Sequence, residues 1–259
     1  MFKCCLVTQL EYRARFWLWV VIELVTLSFA IFVWSAIYRE NRLVGGYSFE
    51  QMVLYYALVP VVSNFVYVHV LTDYLAKRIK DGGISGEMIR PYNLSMAYFL
   101  RSTAIKVFQM MVKLPLFVIS LGVIVFYLKA GLDWSNLAWG IGVCLPIYLM
   151  NFLMDLTIAF AAFWFESVWS LTHLKRIMTM VFGGLDFHLA LVPAGWQGVF
   201  EVQPLRFLYN FPINVFLGRI TSKEMVGGMI TVVGWIVVFG IASQWLWRRG
   251  VRKFAACGG

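Results

Sequence analysis

Long apolar runs alternate with short polar connections along this 259-residue chain. A helix needs about 20 apolar residues to cross the roughly 30 Å hydrocarbon core of a bilayer, and its backbone groups must be hydrogen-bonded inside that segment. The stretches that meet or approach this length are residues 16–37, 52–72, 107–128, 137–165, 168–190 and 229–247. The pattern predicts an all-α membrane protein with six transmembrane helices and a single transmembrane domain over residues 1–259.

The fifth stretch is the weakest, because Lys175 and Arg176 lie near its start and Asp186 and His188 near its end. If it does cross, both termini lie on the side that carries most of the basic residues. The positive-inside bias then places both termini in the cytoplasm. The net charge of +9 needs no nucleic-acid partner, since orientation and anionic lipid headgroups account for it.

Composition excludes a soluble enzyme. The chain is 61% hydrophobic and 14% charged, whereas about a quarter of the residues of soluble domains are charged. Its four cysteines lack metal-ligand spacing, so no metal site is expected. The sequence also lacks the GxxxxGK[ST] phosphate-binding loop, so we expect no bound cofactor and no ATP hydrolysis by this chain.

Two segments that face the predicted cytoplasm have distinctive patterns. Residues 1–15 lead into the first span, and their apolar positions can share one face of a helix lying on the membrane surface. In residues 74–101, Asp81 and Gly82 break the preceding helix, Ser85 can begin a short one, and Pro91 ends it. This compact charged element is either a docking place for a partner or a solvated loop held by lipid charge.

The outer segment 192–217 contains stretches that are too short to span a bilayer and very apolar for water. Re-entrant or interfacial helices resolve this conflict, because irregular backbone is tolerated at membrane depth where protein surrounds it.

Four segments in the same order resemble the permease subunits of ABC-2 type bacterial exporters, in the branch of six-span permeases that work with a separate ATPase. The segments are WSAIYRENRLVGGYSFEQMVLYY (34–56), KRIKDGGISGEMIRP (77–91), LRFLYNFPINVFLGR (205–219) and WRRGVRKFAACGG (247–259). The resemblance covers nearly the whole chain. It departs from the family pattern at residues 182–193, where His188 stands in a stretch that is more apolar in relatives.

The resemblance implies how the protein would work. Residues 1–15 would be an interfacial connecting helix, and residues 74–101 a coupling helix resting in a cleft of the ATPase. The candidate ATPase-coupling residues are Lys77, Arg78, Asp81, Gly82, Ser85, Glu87, Arg90 and Pro91. Residues 192–217 would cap the transport path, and the candidate outer-gate residues are Asp186, His188, Pro193, Pro204 and Pro212.

The resemblance also implies partners and a location. They are two ABC ATPase subunits that bind ATP and Mg²⁺, a second permease that is identical or related, and the lipids of the bacterial inner membrane. The cargo would be a lipid-like, amphipathic or drug-like molecule that is exported.

Ionisable residues inside apolar spans are costly and usually contact protein, water or an opposite charge. Glu23 is close enough to the interface to reach it, or it contacts substrate. Lys113 either extends to the headgroups or forms a buried pair with Glu23 or Asp155. Asp155 has Asn151 four residues earlier on the same helix face, and both are candidates for lining the transport path or contacting a subunit.

Two other functions stay open on the sequence. An intramembrane lipid-modifying enzyme would use Asp155, Asp186 and His188 as acid and base groups, although no nucleophile is paired with them. An ion-coupled secondary transporter is the second, although the six spans show no evident inverted repeat.

Overall fold

The computed structural model describes residues 13–39, 43–68, 71–89, 91, 93–128, 133–185, 195 and 197–257. The α-helices in this part are α1 (Arg13–Ile37), α2 (Phe49–Val66), α3 (Leu71–Lys80), α4 (Ser85–Met88), α5 (Leu94–Leu128), α6 (Trp134–Phe160), α7 (Trp169–Phe182), α8 (Gln197–Val202), α9 (Asn210–Phe216) and α10 (Ser222–Cys257). Two 3₁₀ helices cover Ala161–Phe163 and Pro204–Leu208. Every regular element of the described part is helical, apart from an isolated bridge between Val44 and Tyr47. The all-α prediction is confirmed.

Three helical segments of the described part are long and apolar enough to cross a membrane. They are Phe49–Lys80, Trp134–Phe163 and Ser222–Phe254. A fourth is present if α5 counts as one span, since it bends by 43° between Leu94–Met111 and Lys113–Ile119. Pro115 lies just after this bend, and a proline removes one hydrogen bond of a helix and crowds the preceding turn, where the bend occurs. The six-span layout therefore stays a prediction.

The predicted first span lies within α1, whereas the predicted interfacial and fifth segments are described only in part. Within the helix α1, Val25–Ile37 is an apolar stretch too short to count as a span. The interfacial helix predicted over residues 1–15 lies outside the described residues, apart from the start of α1. The fifth predicted span contains α7, whose 14 residues rise about 21 Å, less than a bilayer core. Residues 186–190 of that span also lie outside the described part.

The helix α6 lies at the centre of the packing, where it contacts α2, α3, α9 and α10. It joins two apolar clusters. The first includes Ile147 and Met150 of α6 together with residues of α2, α9 and α10. The second includes Phe152 and Leu156 of α6 together with residues of α3 and α5. Because one continuous helix supplies both clusters, α3 and α9 are held on a common support.

Short helices occupy the part of segment 192–217 that the structure describes. All seven residues of α9 are buried, although a helix of this length cannot cross a bilayer. Glycines on the neighbouring spans allow this close packing: a Cβ added at Gly140 would meet the ring of Phe216, and one at Gly228 would meet the ring of Phe211. The helix α9 is therefore packed inside the protein, and re-entry of the segment into the membrane stays a prediction.

We expect Gly228→Ala to destabilise the protein by about 1–3 kcal/mol, because the added methyl group overlaps the buried Phe211 ring. Gly227→Ala is the matched control on the same helix, since no atom lies within 4 Å of its added Cβ. The measurement is the free energy of unfolding of the purified protein in detergent. Equal effects of the two substitutions would contradict the close packing of α9 on α10.

Candidate functional site

The connection between α3 and α5 is a tight, hydrogen-bonded turn. Gly82 has a φ of +72°, a backbone conformation that glycine adopts without steric cost. The Ile84 N–H donates to the Arg78 carbonyl at 3.0 Å, and the Ser85 hydroxyl donates to the Gly82 carbonyl at 2.7 Å. The helix break predicted at Asp81 and the short helix predicted at Ser85 are both present. We call residues 77–89 the charged turn.

A carboxylate on α4 ties the charged turn to the two helices that flank it. The Arg78 guanidinium donates twice to Oε1 of Glu87, at 2.8 Å and 3.1 Å. The Tyr98 hydroxyl donates to the other oxygen, Oε2, at 2.7 Å. Both carboxylate oxygens are thus bound, which fixes α4 between α3 and α5.

The charged turn has a buried base and an exposed outer side. Ile84 is completely buried in the second apolar cluster, whereas Ile89 is 85% exposed. Lys77, Asp81 and Ser85 are also exposed. The turn therefore presents an apolar side chain among charged and polar ones, supported by a rigid base. Of the other predicted coupling residues, Pro91 is exposed and Arg90 lies outside the described residues.

A second polar site is buried between α6 and α7. The Lys175 ammonium donates to Oδ1 of Asn151 and to Oδ1 of Asp155, each at 2.6 Å. Asn151 is 2% exposed and Asp155 is 6% exposed. We call these three residues the buried triad. Such pairing is what a charge requires at membrane depth, because an unpaired ion is far costlier there than a neutral group.

The buried triad was predicted only in part from the sequence. Asn151 and Asp155 do face the protein interior together, but the partner of Asp155 is Lys175, which the sequence placed near a cytoplasmic helix end. The sequence suggested Lys113 as a partner, and this residue is half-buried on α5. The short connection between α6 and α7 could have indicated the contact of Lys175 with Asp155, because helices joined by a short loop are commonly antiparallel neighbours.

The helical span Phe49–Lys80 is interrupted after Val66, at Tyr67 and Val68, and we call these two residues the interruption. Two side chains donate to backbone carbonyls there. Asn151 Nδ2 donates to the Val66 carbonyl at 3.0 Å, and Lys106 Nζ donates to the Tyr67 carbonyl. Lys106 is 6% exposed, and its ammonium also lies 5.1 Å from the centre of the Tyr148 ring. The sequence assigned no role to Lys106, because its partner is a backbone carbonyl on another segment of the chain.

A third polar cluster joins the loop before α2 to the end of α9. The Tyr47 hydroxyl donates to Asn214 Oδ1 at 2.5 Å. The Arg219 guanidinium donates to Gln51 Oε1 at 2.6 Å and to the Gly46 carbonyl at 2.9 Å, and it lies 3.7 Å from the centre of the Tyr47 ring. Burial raises the pKa of Tyr47, although the Arg219 charge beside it acts in the opposite direction. This cluster fixes one end of α9 to the rest of the bundle.

The structure describes only some of the remaining predicted site residues. Pro204 begins a 3₁₀ helix, and Pro212 is buried in α9. Asp186, His188 and Pro193 lie outside the described residues, as does the side chain of Glu23. In the part of the chain that the structure describes, no group of three or more His, Cys, Asp or Glu residues could hold a metal ion.

A comparison with protein-family models gives a match over residues 24–258 to the family described as "ABC-2 family transporter protein". Comparison with curated proteins and with solved structures gives no match.

We expect Glu87→Gln to loosen the charged turn, because a neutral amide accepts weaker hydrogen bonds from Arg78 and Tyr98 than the carboxylate does and has only one acceptor oxygen. The backbone amides of Ile84, Glu87 and Met88 should exchange with solvent about threefold to tenfold faster, a modest change since Arg78 is partly exposed. Lys77→Gln is the matched control, because it removes an exposed charge from the same turn. Hydrogen exchange with mass spectrometry measures both, and unchanged exchange in Glu87→Gln would contradict the role of the carboxylate.

Proposed function

Because the chain belongs to the ABC-2 transporter family and is a permease subunit of an ABC transporter, we propose that it exports a lipid-like, amphipathic or drug-like molecule. A separate ATPase would supply the energy through contact with the charged turn. The observation that carries this proposal is the exposed, rigidly supported surface of residues 77–89.

The surface of the charged turn suits a protein partner. Interfaces commonly have an apolar centre surrounded by polar and charged groups. Ile89 supplies an exposed apolar side chain for such a centre, and Lys77, Asp81 and Ser85 of the same turn supply exposed charged and polar ones. This supports docking over the alternative of a loop held by lipid charge alone.

The internal bonds of the charged turn suit the transfer of force. Glu87 is bound by Arg78 from α3 and by Tyr98 from α5, and Ile84 is fully buried beneath it. A partner that moves the turn therefore moves both helices as one body. ATP-driven closure of two ATPase subunits would act on the membrane part in this way.

The assembly we propose contains two ATPase subunits, which bind ATP and Mg²⁺, and a second permease that is identical or related. Only 6% of the most apolar window of α10 is buried within the chain. An apolar face of this extent is available to another permease or to lipid. The positive-inside bias supports cytoplasmic termini in a bacterial inner membrane.

An open apolar groove is compatible with a lipid-like cargo. It has a volume of about 550 Å³ and lies between α6 and α10, where its lining includes Trp139, Val143, Met225, Met229 and Ile230. Trp139 and Ile230 are exposed, so the groove is accessible to an apolar molecule from the outside of the bundle. The direction that we propose, export, follows from the resemblance to ABC-2 type exporters.

The other two functions receive less support. In the enzyme hypothesis Asp155 acts as an acid or base, but its carboxylate is bound by Lys175 in a buried pair. Product formation by the chain alone, without an ATPase, would favour the enzyme. Uptake driven by an ion gradient without ATP would favour the secondary transporter.

We expect Ile89→Asp to weaken ATPase binding by about tenfold or more, because it places a charge at the apolar centre of the docking surface. The fold should be unaffected, since Ile89 is 85% exposed. The measurement is co-purification of a co-expressed ABC ATPase, together with ATP turnover of the complex.

The matched control is Leu43→Asp, which changes an exposed apolar side chain in the loop before α2, where Leu43 is 65% exposed. The proposal is wrong if Ile89→Asp binds the ATPase as tightly as the unchanged protein, or if both variants weaken binding equally.

A further inference from the structure

The span Phe49–Lys80 is not one continuous helix. The helix α2 ends at Val66, and Tyr67 has an extended backbone with φ −69° and ψ 133°. The carbonyls of the last turn of a helix have no partner within that helix. At membrane depth water is not available to them, so the protein must supply donors.

The donors come from helices that pack beside the interruption. Asn151 of α6 donates to the Val66 carbonyl, and Lys106 of α5 donates to the Tyr67 carbonyl. Both side chains are buried. The direction in which the chain leaves α2 is therefore set by side chains of two other helices.

Lys175 and the Val66 carbonyl bind opposite ends of the Asn151 amide and together orient it. An ammonium group only donates hydrogen bonds, so it binds the amide oxygen and leaves the NH₂ group to face elsewhere. Here Lys175 Nζ contacts Asn151 Oδ1 at 2.6 Å, and the NH₂ group reaches the Val66 carbonyl at 3.0 Å. Asp155 compensates the lysine charge at 2.6 Å.

The helix that carries Lys175 is also bonded to the segment containing α8 and α9. Gln203 Nε2 donates to the Phe182 carbonyl at 2.6 Å, and the Asn210 N–H donates to the Gly183 carbonyl at 3.0 Å. On the other side of the interruption, α3 leads directly into the charged turn. The buried triad thus lies between the proposed docking surface and the proposed outer cap.

We propose that Lys175 is a positioning residue for transport. Through Asn151 it holds the interruption between α2 and α3 in one geometry, so that a displacement of the charged turn is passed to the segment containing α8 and α9. This inference rests on the proposed function for its role in transport, but the geometry it assigns to Lys175 can be tested without an ATPase.

The first experiment measures the distance across the interruption. Spin labels are placed at Glu50→Cys and Lys80→Cys, two exposed sites near the ends of α2 and α3, after replacement of the four native cysteines. We expect one narrow distance distribution for the otherwise unchanged protein and for Lys175→Arg, which retains a donor. Lys175→Met should broaden the distribution, because Asn151 is no longer oriented.

Two further variants separate positioning from folding. Thr179→Val is the matched control, because the Thr179 hydroxyl bonds only one turn back along α7, to the Lys175 carbonyl, and it should keep the distribution narrow. The double variant Lys175→Met with Asp155→Asn leaves no unpaired carboxylate. It should fold as well as the unchanged protein and still show a broad distribution. A narrow distribution in the double variant would overturn the proposal.

The second experiment measures the ATP consumed per cargo molecule in vesicles that contain the complex with its ATPase. We expect the double variant to consume about fivefold or more ATP per cargo while still binding the ATPase. An unchanged ratio would overturn the role of Lys175 in transport. If no ATPase assembles with the unchanged protein, the proposed function fails, whereas the distance measurement still decides the geometry.

Discussion

A backbone carbonyl that faces hydrocarbon must find a donor within the protein, and this constraint governs the centre of the structure. The interruption after Val66 exposes carbonyls that α2 cannot satisfy. Asn151 and Lys106 donate hydrogen bonds to them. The buried amide oxygen of Asn151 then requires a donor, which is Lys175, and the charge of Lys175 requires a carboxylate, which is Asp155.

The same constraint explains why α6 has so many neighbours. It carries Asn151 and Asp155 on a face that is otherwise apolar, and it supplies residues to both apolar clusters. The charged turn rests on the second cluster through Ile84, and α9 rests on the first. The helix α6 therefore supports both the charged turn and α9. In the transport role that we propose for Lys175, the buried triad links the two.

Several features followed from local sequence rules. The break at Asp81 and the short helix after it depend on glycine conformation and on residues close in the chain, so they were predictable. Asn151 and Asp155 share a face because they are four residues apart on a helix. The sequence placed Arg78 and Glu87 in one segment but did not predict the salt bridge between them, because that contact depends on how the turn closes. The end of α7 at Phe182 was not predicted, because the apolar composition continues through Gly183 and Gly184, whereas the backbone turns there, with Gly184 at φ +80°.

The sequence by itself determined that this protein is helical, apolar enough for a membrane, and a member of the ABC-2 transporter family, because these properties depend on composition, helical period and local motifs. Tertiary structure alone decided that Lys175 pairs with Asp155, that Lys106 donates to the Tyr67 carbonyl, and that Arg219 joins the loop before α2 to α9. Each of these contacts joins residues that are at least 20 positions apart in the sequence. A side chain's partner at such a distance depends on how the helices pack, and periodicity along the chain contains no information about that packing.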